Sequence, residues 1–180
     1  MKNTLLLKKY ALNYLAKYDS SKKNLFKVLQ KKIRNLKIDE KEKKMLFNSI
    51  NNILIEFESK KLIDDQNYSI RKIENYSSQG KSKKFIENYL LYKGIDKKIL
   101  NEIFENFEID NPDWETESAK IFIRKKIKNY ESKEDLNKNL AKMARSGFNY
   151  SIIKKNIKDV IAIIYDEYCL LTILQKVMLY

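Results

Sequence analysis

Apolar residues return every three or four positions along nearly the whole chain, the spacing that gives a helix one buried face. From Asp39 to Lys60 the stripe is Leu46, Ile50, Ile53 and Phe57. From Asp96 to Glu108 it is Leu100, Ile103, Phe104 and Phe107. Near the end it is Ile153, Ile157, Val160, Ile161 and Ile164. Residues that break helices are rare: three glycines and one proline in 180 residues leave little room for β-turns, so the pattern predicts an all-α chain.

Serines and glycines punctuate these stripes in a recurring frame. Ser82 is placed to cap a helix, Ile86 and Leu90 follow on one face, and Gly94 ends the segment, because glycine takes the left-handed conformation cheaply. Asp96 is a fresh cap for the next helix, and Gly80 ends the helix before Ser82. The frame returns as Ser21 with Leu25 and Leu29, and as Ser132 with Leu136 and Leu140 ahead of Gly147. The first copy has no glycine and runs to Asp39 as the next cap. A further helix precedes each copy, at Leu5 to Ala16, Asn67 to Ser77 and Trp114 to Lys128. The expectation is three tandem three-helix repeats forming an elongated, curved helical array. Their bounds are 1–62, 63–110 and 111–165, followed by an apolar C-terminal extension at 166–180. KKLIDDQ (Lys60 to Gln66) and FEIDNPDW (Phe107 to Trp114) are the short connections between repeats.

Composition narrows the chemistry. The chain has 37 basic and 24 acidic residues, for a net charge of +13, which attracts polyanions or acidic partners. Lys, Asn, Ile and Tyr are all abundant, as A- and T-rich codons produce, so charge alone points only weakly to nucleic acid. There is no histidine, which excludes a Ser-His-Asp triad and the common zinc sites that use imidazole. A single cysteine, Cys169, forms no intramolecular disulfide and fits a cytoplasmic protein. The start, MKNTLLLKKY, is too short for a signal-peptide core, and no apolar run is long enough for a membrane span. Asp64 and Asp65 are adjacent acids without further ligands at metal-binding spacing, and Asp65 reads as the cap of the following helix. The expectation is no catalytic residue, no metal and no cofactor.

Basic clusters are the candidate partner- or DNA-binding residues: Lys22 and Lys23; Lys83 and Lys84; Arg124, Lys125 and Lys126; and Arg145 with Lys154 and Lys155. Lys31, Lys32 and Arg34 form a further cluster. Several lie at or near the second helix of a repeat, where lysines and unpaired N–H groups together suit phosphate or carboxylate. Tyr10, Tyr14, Tyr89 and Tyr92 could stack on bases, although their helical spacing fits packing. KGIDKKILNEIF (Lys93 to Phe104) has the look of a helix-turn-helix, which would make the chain a stand-alone DNA-binding protein. Asp96, Glu102 and Glu105 on that helix face phosphates poorly.

Four stretches resemble the bacterial RecX proteins, regulators of the RecA recombinase: ALNYLAKYDSSKKNL (Ala11 to Leu25), LIDDQNY (Leu62 to Tyr68), QGKSKKFIENYLLYKGID (Gln79 to Asp96) and LAKMARSGFNYSII (Leu140 to Ile153). The resemblance covers about residues 11 to 160, in the family's order. It implies three three-helix repeats and an elongated monomer lying in the groove of the RecA filament on DNA. There it would limit filament growth, strand exchange and ATP hydrolysis, and so act on homologous recombination, DNA repair and the SOS response. Direct contact with naked DNA would be weak. Asn24 stands where the family favours Glu, and Ser69 where a small apolar residue is usual. The tail VIAIIYDEYCLLTILQKVMLY is more apolar than the family's end.

Overall fold

The computed structural model describes residues 2–127 and 133–156. Helix dominates them, and none lies in a strand. The helices are α1 (Lys2–Leu15), α2 (Lys22–Arg34), α3 (Glu40–Ser59), α4 (Asp65–Ser78), α5 (Lys83–Lys93), α6 (Lys97–Asp110), α7 (Trp114–Lys126) and α8 (Lys133–Arg145), and residues 150–156 are helical as well. Ser132, Lys128, Cys169, the stripe residues Ile157, Val160, Ile161 and Ile164, and the extension at 166–180 lie outside the described residues.

Two compact units account for the described chain. Met1–Ile73 with Glu87–Phe107 make the first. Its core is built by α1, α2 and α3, which pack on one another. Leu25, Leu29 and Ile33 line the inner face of α2, and Leu46, Ile50, Ile53, Leu54 and Phe57 that of α3, all buried. A fully buried side chain of this size contributes about 1.5–3 kcal/mol by leaving water, so this face holds the unit together. Tyr10 and Tyr14 pack partly buried against the same core, the packing role that their spacing favoured. Glu74–Ile86 and the described residues from Glu108 onward make the second unit. Ala119, Ile123, Ile127, Met143, Phe148 and Ile153 form a core there. Ile86 and Leu90 are fully buried, but Leu136 and Leu140, at the corresponding places of the third copy, are only partly so.

Helix ends follow local chemistry. Ser21 caps α2 through Asn24 N, Asp39 caps α3 through Glu42 N, and Ser82 accepts from Phe85 N at 3.2 Å. The cap of α4 is Asp64, which accepts from Asn67 N at 3.0 Å. Asp65 is the first residue of that helix and is turned to another use. Gly80, Gly94 and Gly147 have φ of 83°, 88° and 92°, as their placement after helices predicts. Each closes its helix with the same pair of backbone bonds, for example Gly94 N to Leu91 O and Ile95 N to Leu90 O. A fourth such closure, after α3, uses Lys61 at φ 56°. Among the described residues no helix is long and apolar enough to cross a membrane.

Candidate functional site

The start of α2 is held from outside its own helix. The Ser21 hydroxyl, which caps α2, donates to Lys93 O at 2.7 Å. The backbone N–H of Lys22 donates to Asp65 Oδ1 at 2.8 Å, and the Lys22 ammonium pairs with Glu58 at 2.7 Å. The Lys23 stem lies against Gly94, so close that a Cβ built there would come within 2.6 Å of Lys23 Cβ. Four contacts thus tie one helix start to the end of α3, the start of α4 and the end of α5.

The start of α5 repeats this arrangement in the second unit. The Ser82 hydroxyl donates to Ser146 O at 2.7 Å. Lys83 N donates to Glu115 Oε1 at 3.0 Å, and the Lys83 ammonium pairs with Glu108 at 2.6 Å. A Cβ on Gly147 would lie 3.2 Å from Lys84 Cβ and 2.6 Å from Ser82 Oγ. In both joints the acceptor carbonyl belongs to the residue just before the glycine, and Ser21 and Ser82 are fully buried. An N-terminal N–H of a helix is an unpaired donor with the positive end of the helix dipole behind it, so a carboxylate suits it.

Four of the candidate cations lie in the joints. The ammonium groups of Lys22 and Lys83 are engaged by Glu58 and Glu108, and the stems of Lys23 and Lys84 are packed beside glycines. Arg124, Lys125 and Lys126 are exposed in the last turn of α7, where cations complement the dipole. The Lys142 ammonium reaches Lys126 O. Arg145 and Lys154 are exposed, and Lys155 pairs with Asp113 at 3.2 Å. Asp96, Glu102 and Glu105 are exposed around α6, which puts negative charge on the face that a helix-turn-helix reading would offer to DNA. Among the described residues no group of three or more acidic or sulfur side chains is placed to hold a metal ion.

The sequence carried a signal for the joints that the basic clusters masked. Glu58 and Asp65 are spaced like Glu108 and Glu115, and each pair faces a Ser-Lys-Lys helix start. Burial pushes the carboxyls of Asp65 and Glu115 above the usual carboxylate range, against the pull of the N–H that each accepts. A carboxyl raised in this way holds its proton more tightly in the folded chain than in the unfolded one. Stability from these two groups therefore falls as pH rises from about 4 through the raised values. Asp65→Asn with Glu115→Gln keeps an oxygen acceptor and removes both half-buried charges. The double variant is expected to melt at or above wild type at pH 7, with the difference closing below about pH 4. Melting several degrees below wild type at pH 7 would show instead that the charge itself holds the joint.

No family model matches the chain. The chain is 27% identical over 163 residues to a regulatory protein RecX of Myxococcus xanthus, a match covering 84% of this chain and 83% of that protein. It is 31% identical over 120 residues to a regulatory protein RecX of Finegoldia magna, covering 64% of this chain and 58% of that protein. Its fold is similar to the crystal structure of RecX from Lactobacillus salivarius, with a TM-score of 0.63 and 23% identity over 89% of this chain and 98% of that one. A second crystal structure of regulatory protein RecX gives a TM-score of 0.65 and 19% identity over 86% and 73%.

Proposed function

We propose, from the premise that this chain belongs to the RecX family, that it regulates the RecA recombinase by binding in the groove of the RecA–DNA filament. The observation that carries this reading is the match to regulatory RecX proteins along most of the chain, joined to the all-α fold. The protein acts as a cytoplasmic monomer, without cofactor and without chemistry of its own. Its repeats, at 1–62, 63–110 and 111–165, are held in register by the serine–carboxylate joints, whose duplication in the two units supports that layout. Lys22, Lys83 and Lys84 serve the filament indirectly, by fixing the helix starts, while Lys23 packs its stem there and leaves its ammonium exposed. Arg124, Lys125, Lys126, Arg145 and Lys154, which are exposed, meet it directly, and Lys155 lies beside them in sequence. Contact with naked DNA is weak and electrostatic.

The test is the rate of ATP hydrolysis by RecA on single-stranded DNA as this protein is added. Hydrolysis is expected to fall with increasing protein. Each exposed charge pair contributes only about 0–1 kcal/mol, so Arg124→Glu alone is expected to weaken the effect modestly. Arg124→Glu, Lys125→Glu and Lys126→Glu together are expected to weaken it by about 10-fold or more in half-maximal concentration, with circular dichroism unchanged. Hydrolysis indifferent to the wild-type protein at any concentration would overturn the reading.

A further inference from the structure

Helix α2 carries six basic side chains and no acidic one. Its inner face is closed by Leu25, Leu29 and Ile33, and all four of its exposed residues are cations: Lys23, Lys27, Lys31 and Arg34. Their spacing of four, four and three residues sets them in one row, about 6 Å apart and about 16 Å long. Like charges four apart repel one another and weaken a helix. The helix dipole favours cations only in the last turn, which accounts for Lys31 and Arg34, opposes Lys23 in the first turn and gives no reason for Lys27 in the middle. Among the described residues none of the four forms an ion pair, in contrast to Lys22, which Glu58 neutralises. Beside the middle of the row stands Tyr92, 73% exposed, with the Lys27 ammonium 5.3 Å from its ring centre. The joint at Ser21 and the buried face fix this row in place.

We infer that the outer row of α2, with Tyr92 at its side, is a binding track for a single strand of nucleic acid, held without regard to sequence. Evenly spaced cations match the regular phosphates of a strand. The exposed ring supplies a stacking surface that a strand with unpaired bases can use and a closed duplex cannot. No exposed Asn or Gln on α2 is available to read base edges before its C-terminal cap. The inference takes from the reading above only that nucleic acid is at hand. It places the contact on α2, and it holds or fails without RecA.

The probe is a fluorescent oligothymidylate followed by anisotropy, with the full chain and no RecA. Four phosphate contacts to a single strand should lose about 50-fold in affinity between 50 and 200 mM salt. Lys23→Gln, Lys27→Gln, Lys31→Gln and Arg34→Gln combined are expected to weaken binding at low salt by more than about 10-fold and to cut that salt dependence to under about 5-fold. The control removes the same charge from exposed lysines elsewhere, as Lys41→Gln, Lys44→Gln, Lys97→Gln and Lys98→Gln, and is expected to bind within about 3-fold of wild type. Tyr92→Ala is expected to cost about 5-fold or more on the single strand and nothing on a duplex. Equal loss in the two quadruple variants would overturn the track, because net charge alone would then explain the binding. Oligothymidylate binding unchanged in the α2 variant, with its effect on RecA lost, would overturn it as well and assign the row to a protein surface.

Discussion

Ile86→Asp is expected to lower the unfolding free energy by about 3–5 kcal/mol, because Ile86 is fully buried and a carboxylate there would have no partner. In a chain of this length that corresponds to a fall of roughly 6–20 °C in melting temperature. Two companions separate charge burial from general damage. Ile86→Val removes one methylene and should cost about 1 kcal/mol. Leu136→Asp, at the matching place of the third copy, should cost about 1 kcal/mol or less, because Leu136 is only partly buried and its carboxylate can reach water. Urea denaturation of the three variants gives the order directly. Equal losses at Ile86 and Leu136 would mean that the two positions are buried alike.

Gly80→Ala is expected to cost about 3 kcal/mol or more. Any L-residue at a φ of 83° costs roughly 1–2 kcal/mol, and Gly94→Ala carries the same penalty at 88°. What raises the cost further at both sites is what a Cβ would meet. At Gly80 it would lie 2.8 Å from the backbone nitrogen of Phe122, within α7, which cannot move without disturbing the helix. At Gly94 it would lie 2.0 Å from Lys23 Cδ and 2.6 Å from Lys23 Cβ; the Cδ can swing aside, but the Cβ is fixed by the backbone of α2, so the start of that helix must shift as well. Gly94→Ala is therefore expected to cost about 3 kcal/mol or more as well. Thermal melts of the two variants check this, and a loss of only about 1–2 kcal/mol at either site would mean that its neighbour yields. Lys23 also belongs to the α2 row, so a displaced stem should be felt in oligonucleotide binding as well.

The sequence showed much of this molecule where the physics is local. Leu25, Leu29, Ile50, Ile53 and Leu100 are buried as their spacing predicts, since a helix turns the same face inward whatever it packs on. Ser21, Asp39, Ser82 and Asp96 cap the helices they precede, because a cap bonds an N–H two or three residues away. The left-handed glycines were legible for the same reason. Lys61 was not: it takes the same conformation without being glycine, and only the closing bonds after α3 reveal it. The family resemblance points to the same all-α fold that the periodicity predicts.

What sequence alone settled, then, was the helices, their ends and their inner faces, all governed by contacts within about four residues along the chain. The tertiary structure decided which polar groups are spent and which are free. Asp64 and Asp65 look alike in sequence, yet one caps its own helix and the other receives Lys22 from 43 positions away. Lys22 and Lys23 are neighbours of one charge, yet one is neutralised by Glu58 and the other faces water in a row of cations. Such choices depend on pairings across tens of residues, and the energy of a charge is set by what packing brings within a few ångströms of it, about which neighbours in sequence say nothing.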